Sequence, residues 1–169
     1  MTDRHDPGHH HLAAATHHQQ AAHFHREASR HYRNGKDYAH AAHQALIAHG
    51  HALRAFEHGQ AAVTAYAEHE GSPLPGYLVR SAESSGTTAV AAPVDLAQPE
   101  HHTVAATHHD AAQLHHERAG THSGEEHYIR ACHETKKAID HGKHALFHGE
   151  QATLHHMEHY GSHPSAELA

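Results

Sequence analysis

Between residues 38 and 63 the apolar side chains Tyr38, Ala42, Ala45, Leu53, Phe56 and Val63 recur at helical spacing and predict a helix with one buried stripe. His40, His43, His51 and His58 fall on roughly the opposite side, and His69 continues their row. His49 alone lies within the apolar stripe. The same two-sidedness returns further on. Tyr128, Cys132, Ile139, Leu146 and Met157 share one side of a helix, and His133, His141, His144, His148, His155 and His159 share the other.

Two other segments have a different pattern. His10, His17 and His31 share a stripe with Phe24, and His101, His108, His115 and His122 run beside Val104, Ala111 and Leu114. A seven-residue step is about two helical turns, or about 10.5 Å of rise, so each imidazole in such a row stands above the last. Doublets such as His17-His18 point about 100° apart, which predicts one member at a helix seam and the other at a surface site.

The four segments are two copies of one unit. Aligning 10–31 with 101–122 lays His10, His11, His17, His18, His25 and His31 over His101, His102, His108, His109, His116 and His122. After a one-residue slip, 38–71 lies over 128–161, and His43, His51, His58, Gly59, Glu68 and His69 meet His133, His141, His148, Gly149, Glu158 and His159. Each unit breaks once, at Asn34-Gly35 and at Ser123-Gly124, and Asp37 or Ser123 is placed to cap the following helix. Residues 72–99 hold four of the six prolines and no histidine, which predicts a long crossover linker. The expected architecture is all-α, a four-helix bundle of two hairpins. It comprises a tail (1–8), hairpin 1 (9–71), the linker, hairpin 2 (100–161) and a second tail (162–169).

Composition narrows the function. Of the 169 residues 31 are histidine, an excess that no packing need explains, and twelve Lys and Arg against nineteen Asp and Glu give a net charge of -7. That sign disfavours nucleic acid and anionic membranes and favours cations. No segment has the length of a membrane span and the first residues carry no signal-like apolar run, so a cytoplasmic protein is expected, as a monomer or small homo-oligomer. One cysteine, Cys132, excludes an internal disulfide or a CxxC site, and its place on an apolar stripe makes it a core residue. HExxH, Glu-x-x-His, nucleophile elbows and phosphate loops do not occur, so no enzyme is expected.

Neutral imidazole binds copper, nickel and zinc through one ring nitrogen, and helical i,i+4 pairs such as His5 with His9, His144 with His148, His155 with His159, and His159 with His163 can grip one ion. All the histidines of the four rows and their doublets are therefore candidate ligands, His49 included. At three or four ligands per ion they would hold roughly 6 to 10 ions, a capacity that suits storage or buffering. Copper heads the affinity order for nitrogen sites, with nickel and zinc next. Protons should compete, lowering affinity between about pH 7 and pH 5.

Lys137-Ala-Ile-Asp-His-Gly-Lys143 and the HALFHGEQATLHHMEHYG that follows, together with Ile47-Ala-His49-Gly50 and Phe56-Glu-His58-Gly59, resemble the small metal-binding proteins of nitrifying bacteria. The resemblance implies a helical bundle that binds several copper, nickel or zinc ions, and it favours His49, His58, His141 and His148 as ligands. That family is shorter and exported, which makes a periplasmic location the alternative. A weaker architectural analogy is to the four-helix-bundle copper storage proteins. The competing expectations are a metallochaperone that delivers its ion to a partner, and a bundle binding haem between two histidines.

Overall fold

The computed structural model describes residues 6–35, 37–70 and 96–160, and for residues 69, 70 and 160 the backbone alone. The linker over 72–95, the tail from 162, and His5 and His163 of the i,i+4 pairs lie outside the described residues. Among the described residues four helices make up the fold: α1 (Pro7–Asn34), α2 (Tyr38–Glu70), α3 (Gln98–Gly124) and α4 (Tyr128–Tyr160). It is an all-α four-helix bundle. Among the described residues no helix is long and apolar enough to cross a membrane.

The helix ends follow local chemistry. Asp6 Oδ1 accepts the Gly8 N–H at 3.0 Å and Pro7 opens α1, where a missing N–H costs nothing, so the helix starts two residues before the expected boundary at 9. Pro99 does the same for α3, which starts at Gln98 inside the segment expected to be linker. Gly35, at φ +65°, ends α1 in the left-handed conformation. Asp37 Oδ1 then accepts the His40 N–H at 2.9 Å and caps α2, as anticipated. Ser123 does not cap α4, because it is buried within α3.

Neighbouring helices run antiparallel. α1 packs on both α2 and α3, α3 packs on α4, and α2 and α4 meet more sparingly, with the rings of Tyr66 and Tyr128 6.1 Å apart. The buried residues are mostly alanines in seven-residue steps: Ala14, Ala21 and Ala28 on α1, Ala41, Ala48, Ala55 and Ala62 on α2, Ala105, Ala112 and Ala119 on α3, and Ala131, Ala138, Ala145 and Ala152 on α4. Small side chains let helix axes approach closely, and that leaves little room for leucine. The larger apolar groups collect at the two ends, Val63, Tyr66, Cys132 and Ile139 with Phe56 and Tyr128 at one, and Tyr32 with Tyr38 against Ala28, Ala41 and Ala45 at the other.

The expected apolar stripes hold in part: Ala45, Val63, Cys132 and Ile139 are buried, with Tyr38, Phe56 and Tyr128 packed against them. Leu53 is 45% and Met157 62% exposed, because the alanine rows and not these bulkier residues face the centre. On α1 and α3 the largest fully buried side chains are histidines.

Candidate metal centre

The second member of each doublet turns inward. His11, His18 and His25 of α1 and His102, His109 and His116 of α3 are all 0–2% exposed, which corrects the expectation that one member of a doublet serves the surface. They meet edge to edge as three pairs, with the two rings of each tilted 34–38° to one another. Nδ1 to Nδ1 distances are 3.2 Å for His11 and His116, 3.0 Å for His18 and His109, and 3.1 Å for His25 and His102. Successive pairs stack, with His18 on His116 and His25 on His109 at ring-centre distances of 5.4 Å. The result is one continuous column of six imidazoles. It respects the duplication: His18 pairs with its own counterpart, while the other two pairs exchange.

Both ends of the column meet tyrosine. The Tyr66 hydroxyl hydrogen-bonds His11 Nε2 at 2.7 Å, and Tyr32 stacks flat on His102 at 5.4 Å while its hydroxyl hydrogen-bonds His156 Nδ1 at 2.9 Å. Tyr32, Tyr66 and His156 had no place in the sequence reading. Since the repeat lays Tyr66 over His156, that correspondence was the available signal.

Room for the rings comes from glycines in helix interiors. A Cβ on Gly149 would lie 3.2 Å from His25 Cε1, one on Gly142 3.3 Å from His18 Cε1, and one on Gly59 3.4 Å from His116 Cε1. Glycine in a helix is normally about 1 kcal/mol less favourable than alanine. Gly50 supplies the contrast, since nothing lies within 4 Å of its would-be Cβ. Gly50→Ala is expected to stabilise the bundle by roughly that 1 kcal/mol, whereas Gly149→Ala gains nothing or loses stability, because His25 is pinned by His102 and cannot retreat. Thermal melts of the two variants check this, and an equal gain in both would refute the cradle.

Each Nδ1 to Nδ1 contact holds one shared proton, so one ring of a pair is the Nδ1–H tautomer and the other the Nε2–H tautomer. Two protonated rings could not sit so close. Burial holds the column far below the ordinary histidine range: His11, His25 and His116 fall to about 3 and His102 to about 4, each also lowered by neighbouring histidines, and His18 and His109 fall well below it. These rings stay neutral, the form that ligates metal, at a pH where exposed histidine is charged. Protons therefore reach the column by unfolding the bundle and not by titrating its rings in place. His102 Nε2 and His109 Nε2 are buried without a hydrogen-bond partner, a cost of about 1–3 kcal/mol each.

The first members of the doublets line the seams. Between α1 and α2, His10 Nδ1 lies 3.4 Å from His58 Nδ1 and His17 Nδ1 lies 3.1 Å from His51 Nδ1. Phe24 stacks on His51 and ends that row. Between α3 and α4, His101 meets His148 at 3.0 Å and His108 meets His141 at 3.1 Å. Here the row runs on, because the positions matching Phe24, Arg54 and Ala65 are His115, His144 and His155. His115 stacks on His141 and hydrogen-bonds Glu134 at 2.7 Å, His144 stacks on His108, and the His155 ring lies 5.4 Å from that of His101. Burial also lowers His17, His51, His58, His101, His141 and His148 along the seams, and takes His108 to about 4. Unlike the column, the seams have carboxylates beside them, with Glu57 near His17 and His58, Glu100 near His101 and Asp140 near His141.

Other candidates stand apart from the paired rungs. The His31 ring meets the exposed His40 edge-on at 4.6 Å, and His40 lies 6.4 Å from His43. His133 is exposed, His49 is half-buried off the rungs, and the His69 side chain lies outside the described residues. Of the four ligands the family resemblance favours, His58, His141 and His148 are on seam rungs and His49 is not. Among the described residues, groups of three ligand atoms within 4.8 Å occur only at His122, Glu125 and His127 and at His155, Glu158 and His159. A rung by itself offers two nitrogens.

The fold and site together define the class: a histidine-rich, all-α four-helix bundle with imidazole columns along its axis and seams. No family model matches the chain, and no curated protein and no solved structure matches it either.

Proposed function

We propose that this protein stores or buffers several late first-row metal ions on imidazole ligands, copper first and nickel and zinc next. The observation that carries the reading is the buried column. Six polar rings occupy positions that alanine or leucine would fill at no electrostatic cost, they are held neutral, and two of their nitrogens are left without partners. An unmet ligand requirement accounts for all three features.

The spacing fits as well. With metal to nitrogen bonds of about 2.0–2.1 Å, two adjacent ligands of a tetrahedral ion lie about 3.4 Å apart, and the rungs span 3.0–3.4 Å. The core column, which has no carboxylate among its partners, suits an ion of low charge, as Cu(I) is, because charge buried without a counter-ion is costly. The seams, with Glu57, Glu100 and Asp140 alongside, suit divalent ions better. Haem is disfavoured because successive rungs stack on one another at ring-centre distances of 5.4 Å, which leaves no gap for a macrocycle between two histidines.

Elemental analysis of full-length protein, purified without added metal and without a nickel column, tests this reading. Several copper, nickel or zinc ions per chain are expected, with copper uptake reduced in His18→Leu/His109→Leu. Protein that remains metal-free after incubation with each ion would contradict it.

A further inference from the structure

The turn between α3 and α4 gathers three ligand-type side chains away from the columns. Glu125 Oε2 lies 3.5 Å from His122 Nδ1 and 3.3 Å from His127 Nδ1. Neither Glu125 nor His127 belongs to an imidazole row. The backbone explains why they meet. Glu126 adopts φ +60°, its N–H donates to the Ser123 carbonyl at 3.1 Å, and the His127 N–H donates to the His122 carbonyl at 2.8 Å. This is the Schellman arrangement, which brings the residue three before the helix end against the second residue beyond it, normally as an apolar contact. Here both positions are histidine and a carboxylate stands between them.

Two further observations point to a ligand. His122 Nδ1 is shielded from solvent and makes no hydrogen bond, its neighbour being the Glu125 carboxylate at 3.5 Å. The cluster is also confined to the second unit. The first turn uses a left-handed residue at the corresponding place, Gly35, and keeps His31 where the second has His122, but it carries Asn34 in place of Glu125 and Lys36 in place of His127. A lysine there would repel a cation. The ligand set is therefore not a by-product of the duplication.

We propose that His122, Glu125 and His127 form a separate site for a divalent cation of the zinc or nickel type. Two imidazoles and one carboxylate are a three-ligand set that leaves a coordination position open, and the carboxylate offsets half of the ion's charge. Glu125 and His127 are each 54% exposed, so the ion reaches the site from solvent, and the surface depression beside His127 is lined by Glu126, Tyr128, Ile129 and the cationic Arg130. The site does not depend on the metal reading of the columns: His122 continues the row of His101, His108 and His115 in sequence, but its ring lies against His127, and Glu125 and His127 belong to no row.

The test uses the full chain labelled with 15N-histidine, titrated with zinc at pH 7.5 and followed through the ring nitrogens. Zinc should shift the His122 and His127 Nδ1 signals together. Glu125→Gln, which keeps size and shape, should weaken that response by at least about tenfold without altering the circular dichroism. His127→Lys, which copies the first unit, should abolish the paired shift while leaving the His101, His108, His141 and His148 signals responsive to metal as before. If His122 and His127 shift no more than exposed His43 and His133, or if Glu125→Gln leaves the response within twofold, the site is refuted whatever the columns do. Columns that take no metal while the turn still binds zinc would refute the storage reading and leave this site standing.

Discussion

Metal-free protein titrated from pH 7 downward is expected to lose its helical signal in one cooperative step between about pH 6 and pH 4. In the unfolded chain the column histidines take up protons near 6.5, whereas in the bundle burial holds His11, His25 and His116 at about 3 and His102 at about 4. Between those limits the unfolded state binds more protons than the native state, so stability is complete above about pH 6.5 and falls as the pH drops. Each ring costs about 1.4 kcal/mol per pH unit, or about 2 kcal/mol at pH 5, and the four together cost about 8 kcal/mol. Domains of this size are stable by only about 5–15 kcal/mol. Circular dichroism at 222 nm against pH is the check, and full helicity at pH 4 would mean that the column rings are not buried as described. Bound metal should move the transition to lower pH, since ions that bind only the folded chain stabilise it.

Breaking one rung of the column should cost far more than replacing it. His18→Ala leaves a void beside Gly142 and strands the Nδ1 of the buried His109, so a loss of about 3–5 kcal/mol is expected from the cavity and the unpaired polar group together. His18→Leu/His109→Leu removes both polar partners and refills the space, and at pH 7.5 it should lie within about 1.5 kcal/mol of the parent. The double variant should also unfold at lower pH, because two of the titrating rings are gone. Urea denaturation at pH 7.5 and 5.5 distinguishes the cases. A double variant as unstable as His18→Ala would show that the imidazole pair itself, and not the volume it fills, holds the helices together.

Much of the bundle could be read from the chain. The duplication, the Asn34-Gly35 and Ser123-Gly124 breaks and the helical spacing of Val63, Cys132 and Ile139 give two hairpins, and the structure has them. The column was harder to see, because hydrophobic periodicity counts imidazole as polar and alanine as indifferent, so a core of alternating alanine and histidine leaves almost no apolar signal. The usable signs were the strict seven-residue steps His11, His18, His25 and His102, His109, His116, flanked by Ala14, Ala21 and Ala105, Ala112, and the glycines at 59, 142 and 149 within helices that otherwise favour alanine. Which ring pairs with which depends on how α1 packs against α3, and that is a contact between units separated by the linker. The turn site depends on the left-handed backbone of Glu126, a residue type that does not advertise that conformation.

The central claim is that paired imidazoles hold metal. X-ray absorption at the copper edge, on full-length protein loaded at pH 7.5 and freed of excess ion, tests it most directly. The account predicts more than one copper per chain and a first shell of nitrogen at about 2 Å with the outer-shell scattering of imidazole rings. A shell dominated by oxygen, or less than one retained copper per chain, would contradict it.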